Sequence, residues 1–447
     1  MTVLVDQSAL RMAPAGENRR LVLWRSFTIA LLAFGYSGYY FCRSNLPVVL
    51  PELIGELGKK GIRPGEAQVR FGFVASAGIL AYAAGKFFFG GLADLLGGRR
   101  NFLGGMAGSI LFTVVFAFSG GFPIFTIAWV ANRFSQAAGW PGLVKISSRW
   151  TPYSIYGSVM AVLSLSFLFG DAACRWVMSS LMANGVGWRG IFVVAAVSLG
   201  LLLVANLVFL RESPEDRRLP APNPNPLNLY AATDAIESTR TGLWFVLRPL
   251  LSSFPFWLVC LLSVGMTLLR ETFNLWTPTY FVQAAGLSPS QAAAGSALFP
   301  LFGGIAVLLA GALSDKLGLN GRNLVMSGGL AASTACLVVL GNVPAIAHPW
   351  IPIALVTLVG FLLLGPYSYL AGAISLDFGG KRGSATACGI IDGVGYLAGF
   401  LSGDTVARIT VAFGWNGAFL ILAVAAFVTA LVALILAIHQ NHVRRGN

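Results

Sequence analysis

Apolar runs long enough to cross a bilayer, about 20 residues each, recur from Ser26 almost to the C-terminus and are broken only by short polar turns. They lie near 26–53, 70–92, 101–119, 122–148, 155–183, 189–210, 250–282, 290–312, 323–341, 350–374, 383–408 and 413–438. In hydrocarbon every backbone polar group must find a partner inside the protein, so a spanning segment is a helix or belongs to a closed barrel, and barrel strands are far shorter than these runs. The expected fold is therefore an all-α polytopic membrane protein of twelve transmembrane helices. Charge agrees with this. Only 11% of the residues are charged, against about 25% in an ordinary soluble domain.

The formal charge of +13 does not indicate nucleic acid, because the cations fall in alternate loops. Arg19, Arg20 and Arg25 come first, then Arg99 and Arg100, Arg149, Arg211 with Arg217 and Arg218, Lys316 and Arg322, Lys381 and Arg382, and finally Arg444 and Arg445. That alternation predicts a multi-pass protein of the cell membrane with both termini in the cytoplasm. One loop runs against it, since Lys59, Lys60 and Arg63 follow the first span, partly offset by Glu52, Glu56 and Glu66. The first apolar segment is too long for a signal-peptide core and lacks a small-residue cleavage pattern, so it is expected to be retained. All five cysteines lie inside predicted spans, which argues against a disulfide framework or a paired-cysteine metal site.

The chain divides at residues 211–249, where proline, asparagine and charge replace the apolar texture. This predicts a cytoplasmic N-terminal segment at 1–25, a six-helix half at 26–210, a linker at 211–249, a second half at 250–438 and a tail at 439–447. The halves repeat. GWRGIF at 187–192 returns as GWNGAF at 414–419, GLADLLGGRRN at 91–101 as ALSDKLGLNGRN at 312–323, and YGSVMAV at 156–162 as RGSATAC at 382–388. Parallel duplicated halves put a ligand site at the interface between repeats.

The offset that relates Trp188 to Trp415 also relates Arg43 to Arg270, so these two arginines are symmetry mates in spans 1 and 7. Each costs roughly 2.5–3.5 kcal/mol at mid-membrane on insertion scales, which calls for an anion: a shared substrate, or carboxylates on other helices. Glu271 follows Arg270 directly, and neighbours on a helix are expected to project in different directions.

With these residues in view the chain resembles the major facilitator superfamily, and within it the organophosphate:inorganic phosphate antiporter branch. GYSGYYFCRSNLPVVLPEL at 35–53, GKFFFGGLADLLGGRRN at 85–101, GWPGLVKISSRW at 139–150 and LLRETFNLWTPTYF at 268–281 carry the likeness. The resemblance implies a secondary transporter that exchanges an organic phosphate for inorganic phosphate by rocking two six-helix halves. It also implies that Arg43 and Arg270 grip the phosphoryl group, and that Lys86 lies near the site. A guanidinium fork suits bidentate pairing with phosphate oxygens, whereas lysine is a movable point charge. For Lys86, snorkelling toward the interface is the alternative. The family's span-5 histidine is absent: the aligned position is Ser166, and His348, His439 and His442 lie in loops or the tail.

Span 5 instead holds Asp171 and Arg175, four apart and suited to an i,i+4 bridge. Arg133, in an R-x-x-Q-x-x-G pattern, is a third site cation or an orienting group. Asp392 is an intramembrane acid without a local mate, so either a site residue or one end of an inter-helix bond. Tyr39, Trp140 and Tyr280 are candidate contacts for the organic part of a substrate, with Tyr39 preferred to Tyr40 because four residues before Arg43 returns closer to its face than three. Asp94, Arg99, Arg100 and Asp315 fall in the repeated loop motif, which resembles that of the superfamily, and the resemblance implies that they hold a gating charge network. No G-x-x-x-x-G-K-[ST], H-E-x-x-H or G-x-S-x-G occurs, so no enzyme, metal or cofactor is expected. A small phosphorylated anion, the bilayer and a monomeric state complete the expectation. The rival readings are a proton-coupled carboxylate carrier and a transporter-like sugar-phosphate sensor.

Overall fold

The computed structural model describes residues 19–220, 248, 250–316, 321–345, 347–370 and 374–446, and among them all regular structure is helical. In the first half α1 (Arg19–Lys59), α2 (Pro64–Leu96), α3 (Gly98–Phe118), α4 (Phe122–Gln136), α5 (Gly139–Trp150), α6 (Tyr153–Ala183) and α7 (Trp188–Phe209) follow in order. A short 3₁₀ turn, Pro214–Arg217, opens the linker. The second half holds α8 (Phe254–Gln283), α9 (Pro289–Ser296), α10 (Leu298–Lys316), α11 (Gly321–Leu340), α12 (Trp350–Tyr369), α13 (Ser375–Gly399) and α14 (Asp404–Gly446).

Ten helical stretches among the described residues are long and apolar enough to cross a membrane. The expected fourth span is instead the broken pair α4 and α5, and the last stretch, 387–439, runs through two expected spans. At the junction of those two, Gly414 takes φ 69°, a left-handed conformation open to glycine, and breaks α14. α1 begins at Arg19, ahead of the expected span, because a helix can continue past the hydrocarbon into the headgroup layer.

Each half buries its own core. One apolar cluster is built chiefly from α1 to α7 around Phe102, Phe116, Trp150 and Phe192, the other from α8 to α14 around Phe256, Phe281 and Phe299. The outside is hydrocarbon: Phe118, Leu201, Val204, Phe413 and Ile438 are exposed, positions where a water-soluble protein would carry charge.

The described contacts between halves concentrate at the end away from the linker. Gln68 of α2 donates to Thr410 of α14 at 2.6 Å, and Gln283 of α8 reaches Gln68 at 3.3 Å. Ser76 accepts from the Asp404 amide at 2.9 Å and donates to the Phe400 carbonyl. Ser179 of α6 donates to the Ser290 carbonyl at 2.7 Å. Small residues allow this closeness: a Cβ placed on Gly72 would lie 2.8 Å from the Gly403 carbonyl.

Candidate functional site

Arg43 sits near the middle of α1, where Tyr40 and Ser44 share its side of the helix and Pro47 follows. These residues line a cavity of about 50 Å³ together with Ala75 and Ile79 of α2, Trp129 and Arg133 of α4, Asp171 and Arg175 of α6, and Arg270, Glu271, Asn274 and Leu275 of α8. Both symmetry-related arginines therefore face one space between the halves. A water needs roughly 10–15 Å³ on this measure, so the cavity has room for a few waters or a small oxyanion, and a larger solute requires the halves to part. A larger groove, about 630 Å³, lies between α10 and α12, but its lining, from Leu298 to Phe361, is almost wholly apolar and offers an anion nothing.

Aromatic rings cradle the cations. The Arg43 guanidinium lies 4.7 Å from the Tyr82 ring centre and 5.3 Å from that of Tyr40, and Arg133 lies 4.8 Å from Tyr82. Arg270 donates to the Tyr367 hydroxyl at 3.0 Å and lies 4.9 Å from its ring. Cation–π contacts contribute about 0.5–2 kcal/mol each, so the single ring on Arg133 or Arg270 offsets only part of the roughly 2.5–3.5 kcal/mol that a mid-membrane arginine costs, and the two rings on Arg43 offset more. The rings therefore soften the penalty and leave a demand for negative charge. Among the described residues no carboxylate forms an ion pair with Arg43 or Arg133. Arg133 is oriented by Gln136 at 3.4 Å, which itself donates to the Cys42 carbonyl of α1 at 3.0 Å.

The expectation for Glu271 needs correction. Although adjacent residues leave a helix about a quarter-turn apart, the long Arg270 side chain folds back so that its Nη2 lies 3.6 Å from Glu271 Oε1, and both line the cavity. Asp171 and Arg175 form the i,i+4 bridge at 2.9 Å, and Arg175 also ties the halves together. Asp171 accepts from Ser44 at 2.5 Å, while Arg175 donates to Ser296 of α9 at 3.1 Å and to the Asn274 carbonyl of α8 at 3.0 Å.

Asp392 has a mate after all, on the other half. Lys86 Nζ lies 3.1 Å from Asp392 Oδ2, above the rings of Tyr396 and Tyr82. Lys86 is thus paired across the interface instead of extending to the membrane surface. Ser166, at the missing histidine's position, bonds its own helix at the Leu163 carbonyl.

Three aromatic candidates do not reach the cavity. Tyr39 donates to the Phe102 carbonyl at 2.6 Å and packs on the Phe102 ring inside the first half, leaving Tyr40 to line the space. The two differ by about 100° around α1, and a three-residue step brings Tyr40 to the Arg43 face because the neighbouring α3 surface claims Tyr39. Trp140 packs at a tilt against Tyr36, their rings 5.4 Å apart, and Tyr280 packs edge-on to Phe419 at 4.7 Å within the second half.

In the loop motif, the side chains of Asp94 and Asp315 lie outside the described residues. Arg99 donates to the Leu210 and Leu207 carbonyls, both at 2.8 Å, and so caps α7. Arg100 is exposed. Among the described side chains a carboxylate of this cluster is Glu212, which accepts from the amides of Gly98 at 2.9 Å and Arg99 at 2.6 Å at the N-terminus of α3, with Arg149 at 3.6 Å. That placement suits a helix N-terminus. Sequence reasoning missed Glu212, Tyr82 and Tyr396. The signals for the last two were an i,i+4 step from Tyr82 to Lys86 and from Asp392 to Tyr396.

Two helical halves with hydrocarbon exteriors and a cationic cavity at their junction define a membrane transporter, not an enzyme. The model of the Major Facilitator Superfamily matches residues 32–403, and the chain belongs to that family. Its relatives bear out the finer resemblance in the motifs. It is 24% identical to a "Probable hexose phosphate transport protein" of Chlamydia pneumoniae over 93% of this chain and 92% of that one. It is 26% identical to the "Membrane sensor protein UhpC" of Escherichia coli, covering 93% of each. It is 24% identical to the "Glycerol-3-phosphate transporter" of Bacillus subtilis, covering 90% and 89%. A bacterial homologue of the human lysosomal transporter Spinster, solved inward-facing and unoccupied, shares the fold at a TM-score of 0.72 and 14% identity, over 93% of this chain and 95% of that one.

Proposed function

We propose that this protein carries a phosphorylated organic anion across the cell membrane and exchanges it for inorganic phosphate by alternating access. The observation that supports this most is that Arg43 and Arg270, one from each half, line a single cavity. A phosphoryl group offers several oxygens to two guanidinium forks at once, so it can bridge the halves as no single helix could. Bridging favours the state in which the halves are close, and that difference in contact is what shifts the equilibrium on binding. Relatives with sugar-phosphate and glycerol-phosphate names point to the same substrate class. One chain supplies both arginines, so a monomer suffices. The alternation of loop cations supports a cytoplasmic position for both termini.

The test is exchange in proteoliposomes loaded with phosphate. Arg43→Lys and Arg270→Lys each replace a bidentate fork with a point charge, and loss of charge-assisted bonds at this scale lowers exchange by roughly a hundredfold or more. Rates near wild type in both variants, with insertion intact, would end this reading. A sensor is the second reading, favoured by the Escherichia coli relative. It predicts ligand-induced thermal stabilisation with no counterflow of labelled phosphate.

A further inference from the structure

We infer that Glu271 is a resident counter-anion that lets the empty carrier reorient, so that this protein supports net flux of its anion as well as exchange. This rests on the transport reading above and adds to it. Besides Arg175, which Asp171 neutralises, three guanidinium groups, Arg43, Arg133 and Arg270, line one cavity. In a carrier that had only such cations there, closing the empty halves would press like charges together, and return would wait for a counter-substrate.

This chain places a carboxylate among them. Glu271 is 6% exposed, lies in the field of Arg270, Arg43, Arg133 and Lys86, and has one oxygen, Oε1, buried without a hydrogen-bond partner. The other acid of the cavity, Asp171, is already occupied by Ser44 and by Arg175. The Arg270–Glu271 contact, at 3.6 Å, lies beyond hydrogen-bonding range. Charge therefore holds it without directional bonds. A phosphoryl group that makes bidentate bonds to the same guanidinium outcompetes such a contact, and when the substrate leaves, the carboxylate remains to balance Arg270. Glu271 thus stands in for the substrate during the empty return.

The experiment uses the full chain in proteoliposomes with radiolabelled inorganic phosphate, measured two ways on the same preparation: exchange against internal phosphate, and net uptake into vesicles without internal anion under a clamped membrane potential. The wild type is expected to show both. The ratio of net uptake to exchange is expected to fall about tenfold in Glu271→Gln, which removes the charge but keeps the shape, and to recover at least in part in Glu271→Asp. A ratio cancels any fraction of protein that fails to fold. Exchange without net uptake in the wild type, or an unchanged ratio in Glu271→Gln, overturns the inference and leaves the transport reading standing. Absence of both fluxes in the wild type removes the transport reading and this inference with it.

Discussion

Tyr39 and Tyr40 are neighbours in sequence with different surroundings. The Tyr39 hydroxyl is satisfied by a buried carbonyl, whereas the Tyr40 ring faces Arg43 across the cavity wall. Tyr39→Phe removes one buried hydrogen bond and is expected to lower stability by about 1 kcal/mol. Its apparent affinity for phosphate should stay unchanged, and thermal unfolding with and without phosphate checks both. Arg175 is a harder case because its charge is almost wholly buried and paired. Arg175→Leu strands Asp171 and is expected to cost roughly 3–5 kcal/mol. A thermal midpoint equal to wild type would show that Asp171 finds other partners.

Between elements, α2 meets the start of α14 through glycine. Side-chain volume at Gly72 would strike the Gly403 carbonyl, and neither backbone can yield without disturbing the neighbouring Ser76 bonds to Phe400 and Asp404. Gly72→Leu is therefore expected to hold this end of the carrier apart. The consequence is checked by labelling a cysteine placed at Gln68, buried in the closed contact: the label reacts faster in Gly72→Leu than in the parent. The α4–α5 break works differently. It lets α4 present Arg133 to the cavity while α5 packs its Gly142 against Gly98 of α3.

Over the whole molecule, the described bonds between halves include three sets: a polar cluster near Gln68, Thr410 and Gln283, the Arg175 bonds to Ser296 and Asn274, and the Lys86–Asp392 pair, with the arginine cavity also at the interface. Alternating access requires the first set to separate. A Gln68→Cys/Thr410→Cys pair joined by a short reducible thiol crosslinker is expected to stop exchange, with activity restored by reduction. Full exchange in the crosslinked protein would show that this end does not open during transport. Four of the five native cysteines are buried, and a Cys388→Ser background removes the half-buried fifth.

The helical architecture, the duplication and the pairing of Arg43 with Arg270 were legible in the sequence, because bilayer thickness imposes a minimum apolar length and a shared offset survives divergence in detail. The broken fourth span was less legible, since a continuous apolar stretch conceals a turn. Which side chains share the cavity was not legible for Tyr40 and Glu271, nor was the place of Tyr82 against the Arg43 and Arg133 cations. One-dimensional spacing gives a helix face but not the neighbour that competes for it, and a long arginine can fold back on the next residue. By itself the sequence determined that this chain lives in a membrane as two related halves with a cation in each. Only the tertiary structure decided which partners those cations keep, because the rings of Tyr82 against Arg43 and of Tyr367 against Arg270 come from other helices, and their approach depends on how those helices pack.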